Sequence, residues 1–116
     1  MNVEVLRDYC IDKPHATESL PFGPENLVLK VGGKMFALIS LDANPASINL
    51  KCNPELAVQL RDEFSAVLPG YHMNKAHWNT VFMDSSIRWV QVQKWIDHSY
   101  DLVWQGLPKA IKAELG

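Results

Sequence analysis

Apolar and polar residues in the first half of the chain follow the pattern of strands that bury one face. Residues 27–31 and 34–41 are mostly apolar, and they flank Gly32 and Gly33. Such a glycine pair readily takes the positive φ angles of a two-residue hairpin turn. After a turn over residues 42–45, residues 46–51 alternate between apolar and polar side chains. The pattern predicts three antiparallel strands in a meander.

Helical spacing of apolar residues predicts one helix before this meander and one after it. The first covers about residues 2–11, and Asn2 is able to cap it. The second starts at Asn53 and Pro54, because an Asn side chain accepts an orphan backbone N–H and proline fits the first helical position. This helix is expected to run to about Ala66.

A longer helix is predicted near residues 88–105, with residues 84–86 as its capping residues. The positions that repeat at helical spacing are Val92, Trp95, Ile96, Ser99 and Val103. This helix is expected to cover the sheet. A final short helix begins at residues 107–108 and ends at Leu115.

Two further strands between residues 71 and 83 complete the predicted order α-β-β-β-α-β-β-α-α. The order indicates an α+β fold in which an antiparallel sheet is packed by helices in two layers. The 116 residues are 47% apolar and 21% charged, which is typical of a globular protein. This length supports one core, so residues 1–116 are expected to form a single domain.

Net charge and cysteine content limit the partners and the compartment. The net charge is -2 and the pI is near 6.0, so the molecule as a whole does not attract polyanions, and nucleic-acid binding needs a local basic patch. Cys10 and Cys52 are the only cysteines, and no signal-type start or spanning apolar stretch is present. We expect two reduced thiols, a cytoplasmic protein and no membrane contact.

The stretch over residues 70–81 crowds aromatic, amide and basic side chains together, and positions 64–83 contain no carboxylate. A composition this biased suggests a contact surface. If the chain reverses at Asn74 and Lys75, the stretch forms a small basic, aromatic wing. A looser loop over residues 73–76 would serve equally well, since Asn-Lys is a weaker turn signal than Asn-Gly.

In the tighter alternative, antiparallel pairing sets His72 opposite His77 and Tyr71 opposite Trp78. A nucleic-acid wing would use the lysine for phosphate, the amide and imidazole groups for hydrogen bonds, and the indole for stacking. The competing interpretation is that Trp78 fills the edge of the core, because a strand aromatic more often packs than binds. The candidate nucleic-acid-binding residues of this wing are His72, Asn74, Lys75, His77 and Trp78.

A second basic wing is suggested by Lys30, Lys34 and Lys51. These lysines lie on the predicted strands, and Asp42 is the only acid in residues 27–51. Strand lysines also serve a commoner purpose, which is to discourage edge-to-edge aggregation. Both interpretations remain open from the sequence.

No catalytic residue, cofactor or metal site is predicted. His72 and His77 lack a third ligand nearby, and Cys10 and Cys52 lack Cys-x-x-Cys spacing. No Gly-x-Ser-x-Gly setting is present, and the glycine pair precedes a strand, whereas a phosphate loop precedes a helix. The sequence therefore favours a non-enzymatic protein.

Several segments together resemble the MmcQ/YjbR family of small bacterial proteins. They are Pro21-Phe22-Gly23, Val31-Gly32-Gly33-Lys34-Met35-Phe36, Asn53-Pro54-Glu55-Leu56, Tyr71-His72-Met73-Asn74-Lys75-Ala76-His77-Trp78-Asn79-Thr80-Val81 and Ser99-Tyr100. The resemblance implies a two-layer α+β fold of the kind also seen in secretion chaperones. It also implies DNA binding through a double-wing motif, and it transfers no catalytic residue.

A protein-interaction or chaperone-like module, without nucleic-acid binding, is the alternative function. Trp89 and Trp104 add apolar surface to the long helix, and in the resembling family the start of this helix is usually polar. Tryptophan is enriched at binding hot spots, so these residues are candidates for contact with a protein partner or a second copy. The competing interpretation is that the final helix partly covers them.

Overall fold

The computed structural model describes residues 2–70 and 73–116. In chain order the elements are α1 (Val3–Ile11), β1 (Thr17–Ser19), β2 (Asn26–Val31), β3 (Lys34–Ser40), β4 (Ser47–Lys51), α2 (Pro54–Glu63), β5 (Val67–Pro69), β6 (Trp78–Phe82), α3 (Trp89–Gln105) and α4 (Lys109–Leu115). The strands form one antiparallel sheet in the order β1-β2-β3-β4-β6-β5, and helices cover one face of it. The predicted α+β architecture is confirmed.

The core lies between the sheet and the helices, and α3 packs across its central strands β3 and β4. The residues predicted to repeat on α3 are all buried. Leu6 and Cys10 of α1 join the same core with no exposed surface. As predicted, Asn2 caps α1 by accepting a hydrogen bond from the Val5 N–H at 3.0 Å, and Asn53 caps α2 in the same way.

The chain contains one strand more than predicted. β1 pairs with β2 from Thr17 opposite Lys30 to Ser19 opposite Val28. All three β1 side chains are exposed, so the segment has no apolar alternation that could reveal it. The order of elements is therefore α-β-β-β-β-α-β-β-α-α.

The predicted end of α2 at Ala66 is wrong. The helix ends at Glu63, and Phe64 takes an extended conformation with φ -120° and ψ 118°. Val67 lies in β5 opposite Val81 of β6. Its apolar side chain therefore belongs to the sheet and not to α2.

The predicted capping of α3 by residues 84–86 is also wrong. The N-cap residue is Arg88, which makes no capping hydrogen bond with its side chain. Asp84 instead accepts a hydrogen bond from the Ser86 N–H at 3.0 Å, and Ser85 has a φ of 73°. Asp84 and the serines therefore close a separate turn before the helix starts.

The β2–β3 hairpin turns at Gly32 and Gly33 as predicted, with φ angles of 58° and 81°. Gly32 also lies against α4 and the segment before it. A Cβ at position 32 would lie 2.6 Å from Leu107 Cδ1 and 3.0 Å from Ile111 Cγ2, whereas a Cβ at position 33 would meet nothing within 4 Å. Within residues 2–70 and 73–116, no helix combines the length and the apolar character needed to cross a membrane.

The two glycines give a matched pair for testing how the hairpin docks on α4. Gly32→Ala and Gly33→Ala should each lower the free energy of unfolding by about 1 to 2 kcal/mol, because an alanine Cβ is unfavourable in a left-handed backbone. Only Gly32→Ala also overpacks against Leu107, which should lower the free energy of unfolding by a further ~1 to 3 kcal/mol. Urea denaturation measures both. Equal losses of stability in the two variants would contradict the docking.

Candidate nucleic-acid interface

Antiparallel pairing gathers the described residues of the predicted site at one end of the sheet. Lys30 and Lys34 flank the hairpin turn, Lys51 lies directly opposite Trp78, and the loop over residues 73–77 leads into Trp78. Neighbouring strands are about 4.8 Å apart, so β2 and β6 are separated by about 15 Å across β3 and β4. We call this region the basic end, and its residues are Lys30, Lys34, Lys51, Asn74, Lys75, His77 and Trp78.

The basic end does not present all of its lysines on one face. Val31 belongs to the core, and Lys34 is its direct cross-strand partner, so Lys34 lies on the helix side of the sheet. Lys30, Lys51 and Trp78 alternate with core residues and therefore lie on the opposite, open face. The sheet thus separates Lys34 from the other two lysines.

The open face carries no carboxylate on any of the described strands. Glu18 is the only acidic strand residue, and it pairs with the buried Leu29, which sets it on the helix side. There Arg7 donates two hydrogen bonds of 2.8 Å to the Glu18 carboxylate. These bonds hold the pKa of Glu18 below its ordinary value.

Carboxylates instead collect beyond the other end of the strands. Glu25 directly precedes β2, Asp42 follows β3 and Asp84 follows β6. The first carboxylate after Lys51 in the chain is Glu55, and it lies in the first turn of α2 and not on a strand. The net charge of -2 therefore conceals a gradient along the strands, from acidic turns to a basic end.

Arg61 of α2 holds the loop over residues 73–77 in place. Its Nε donates to Asn79 Oδ1 at 2.7 Å, and its Nη2 donates to the carbonyl oxygen of Lys75. Asn79 in turn donates to the carbonyl oxygen of Ala57, at 3.3 Å. The sequence identified Arg61 only as a flanking arginine, because nothing local relates it to a loop that follows fourteen residues later.

The loop is a compact turn with exposed side chains, which is the looser of the two predicted forms. Asn74 Oδ1 accepts from the Ala76 N–H at 3.0 Å, and the His77 N–H donates to the Asn74 carbonyl oxygen at 3.2 Å. Cys52 fixes the loop to the end of β4 through its N–H, which donates to the His77 carbonyl oxygen at 2.7 Å. Asn74, Lys75 and His77 are all exposed.

Trp78 is half-buried, so part of it packs within the protein and part of it is accessible to solvent. The predicted pairings of Tyr71 with Trp78 and of His72 with His77 involve residues that lie outside the described ranges. Within those ranges, the Gly70 N–H donates to the Trp78 carbonyl oxygen at 2.8 Å. A Cβ on Gly70 would come within 2.8 Å of Trp78 Cβ, so a glycine is needed at this contact.

The two tryptophans expected at a partner surface make aromatic contacts within the chain. Trp89 packs edge-on against Tyr9 with ring centroids 5.6 Å apart, and Trp104 stacks on His15 at 6.4 Å. Both are half-buried. Their rings therefore present only part of their surface to another molecule.

Both thiols are protonated at neutral pH. Burial raises the pKa of Cys10 to about 12 and that of Cys52 to about 11. A thiol in this state is a poor nucleophile and a poor metal ligand. Among residues 2–70 and 73–116, no group of three or more His, Cys, Asp or Glu side chains is arranged to hold a metal ion.

Comparison with known proteins places this architecture in a family. The YjbR family model matches residues 11–102, which include the hairpin, the loop of the basic end and most of α3. The chain belongs to the YjbR family. The family resemblance drawn from the sequence is thereby confirmed.

Among the curated relatives of this chain are the uncharacterized proteins YjbR and YbdF of Escherichia coli. YjbR of strain K12 is 37% identical over 109 residues, covering 94% of this chain and 92% of that protein. YbdF of strain O157:H7 is 36% identical over 106 residues, covering 91% and 87%. These relatives share the sequence over nearly its full length and assign no activity to it.

Solved structures show the same YjbR-family fold. The crystal structure of Deinococcus radiodurans protein DR2400 has a TM-score of 0.92 and 38% identity, and the match covers 99% of this chain and 88% of that one. The crystal structure of a Pseudomonas syringae protein has a TM-score of 0.77 and 27% identity, covering 89% and 99%.

Removing the Arg61 guanidinium should loosen the loop without unfolding the sheet. Arg61→Ala breaks two hydrogen bonds from a charged donor, which predicts a loss of about 1 to 2 kcal/mol in stability and faster amide exchange over residues 73–77. Arg61→Lys should not restore protection, because an ammonium cannot reproduce the planar fork. Hydrogen exchange measures both, with Arg88→Ala as the exposed control. Unchanged exchange in Arg61→Ala would refute this role.

The raised thiol pKa values predict a loss of stability at alkaline pH. Below pH 9.0, the ordinary value, the thiols are protonated in both folded and unfolded chains, so stability is fully present. Above it the unfolded chain loses protons first, and Cys10 alone should lower the free energy of unfolding by about 2 to 3 kcal/mol at pH 11. Urea denaturation from pH 8 to 11 measures the slope. In Cys10→Ala the slope should be shallower, and an equal slope would contradict the assignment.

Proposed function

We propose that this YjbR-family protein is a cytoplasmic, non-enzymatic DNA-binding module whose basic end contacts phosphate. The observation that carries the proposal is the segregation of charge along the sheet. Lysines lie at one end of a strand face that has no carboxylate, and acidic turns lie at the other end. A local patch of this kind supplies the attraction that the net charge of -2 does not.

The geometry supports contact with two separate parts of a DNA backbone. One wing is the β2–β3 hairpin with Lys30. The other is the loop with Lys75 and His77, which leads into β6 next to Lys51 of β4. Their separation of about 15 Å is comparable to the width of the DNA major groove, about 12 Å. Lys75 Nζ donates to the Gly70 carbonyl oxygen at 3.3 Å, and an ammonium has two further protons for phosphate.

The same geometry supports weak sequence preference. Arginine is the commonest reader of bases, and Arg61 is occupied by Asn79 and the Lys75 carbonyl group. Lysine contacts to phosphate position a protein on DNA but carry no sequence information. We therefore propose a binding mode dominated by the backbone.

Two further features support the other parts of the proposal. The free cysteines Cys10 and Cys52 are both buried, as suits a reducing compartment. Their raised pKa values disfavour thiolate chemistry, which supports a non-enzymatic role.

Salt-dependent binding tests the proposal. Fluorescence anisotropy of labelled single-stranded and duplex DNA should show saturable binding that weakens as salt rises. Lys51→Ala and Lys75→Ala should each weaken binding and reduce the salt slope by about 1. Lys94→Ala is the matched control, because it removes the same charge from an exposed position on α3.

Two results would contradict DNA binding at the basic end. One is the absence of saturable binding at low salt. The other is an equal loss of affinity in Lys94→Ala and Lys75→Ala, which would indicate a diffuse charge effect. In the first case a protein-interaction function through Trp89 and Trp104 would replace this proposal.

A further inference from the structure

The open face of the sheet holds a cavity of about 620 Å³, which we call the sheet-face cavity. It has apolar walls, to which Phe22, Met73 and Phe82 contribute, and none of the described residues that line it is charged. Its volume falls within the range of small-molecule pockets, about 300 to 1,000 Å³. The cavity therefore has room for an uncharged group with apolar faces.

Buried polar side chains form the floor of the cavity. Ser47, Asn49 and Thr80 lie on β4 and β6, and each is 5% exposed or less. The Thr80 hydroxyl donates to the Asn49 amide oxygen. Amide and hydroxyl groups both donate and accept hydrogen bonds, so a floor of this composition is suited to a ligand that carries donors and acceptors.

The cavity is continuous with the basic end. Lys51 follows Asn49 by two residues on β4, and Trp78 precedes Thr80 by two on β6, so all four face the same side. Two strand residues span about 7 Å. Met73 of the cavity wall belongs to the loop that carries Lys75. The described strand lysines of this face, Lys30 and Lys51, thus lie toward one end of the cavity.

We propose that the sheet-face cavity receives one unpaired base of single-stranded DNA whose phosphate is bound at Lys51 and Lys75. This inference rests on the proposed function and specifies its ligand. A base is flat and uncharged, and it carries hydrogen-bonding groups on its edge, which matches apolar walls above a polar floor. Its phosphates carry the charge that the lysines attract. A base in a duplex is stacked and paired, and it reaches the cavity only by flipping out.

The test compares a single strand with the duplex of the same sequence. Anisotropy should show tighter binding of the single strand by the native protein. Phe22→Ala should weaken single-strand binding about tenfold, through loss of one stacking surface, and leave duplex binding and the salt slope unchanged. Phe22 is 66% exposed, so this variant should fold normally. Leu20→Ala, from the same segment but outside the cavity lining, is the matched control and should have no effect.

A nucleoside without phosphate gives a second readout. Titration with adenosine or thymidine, followed by NMR, should shift the amide signals of Asn49 and Thr80 in the native protein. The base site would be overturned if DNA binding depended on the lysines but was equally tight for single strand and duplex, and if Phe22→Ala had no effect. That result would leave the proposed function intact. Failure to bind either DNA at low salt would overturn both, whatever the nucleoside does.

Discussion

The basic end depends on a single hydroxyl group between α3 and the sheet. β3 and β4 pair as far as Ala37 and Leu50, and the next two residues, Phe36 and Lys51, do not continue that ladder. The Ser99 hydroxyl takes their place: it donates to the Phe36 carbonyl oxygen at 2.6 Å and accepts from the Lys51 N–H at 2.9 Å. Both backbone groups are thereby satisfied while Lys51 still pairs with β6. The buried Ser99 thus lets β4 separate from β3 at the end of the sheet, where Lys51 belongs to the basic end.

Because the strands are short, the salt concentration decides whether the acidic turns and the basic end influence each other electrostatically. β4 has five residues and spans about 17 Å, whereas the Debye length is about 8 Å at physiological ionic strength. The acidic turns around Asp42 and Asp84 are therefore screened from the lysines of the basic end. At 0.01 M salt the Debye length grows to about 30 Å, so the acids and the lysines then both act on an approaching polyanion, and the lysines are the nearer charges to one at the basic end. Net charge is a poor guide to such a molecule.

Local signals made much of the fold predictable, and tertiary pairing decided the rest. Gly32 and Gly33, Asn53 and the stripe on α3 act through their immediate neighbours, so the sequence reveals them. From the sequence, Glu18 is an ordinary surface acid. Only its pairing with β2 in the structure shows that it lies on the helix side. Arg61 likewise has no local link to the loop. The candidate lysines were identified from composition, but only the register shows that Lys34 lies on the other face from Lys30.

The two faces of the sheet answer to different constraints. On the helix side, Leu29 and Phe36 are fully buried in a packed core, which stability alone explains. On the open face, Asn49 and Thr80 are almost as buried, yet apolar residues would fill such positions at less cost. Shared fold among YjbR-family proteins does not account for that choice, since function resides in sites and not in folds. The buried polar groups of the open face are therefore the part of the sheet that packing of the apolar core does not explain.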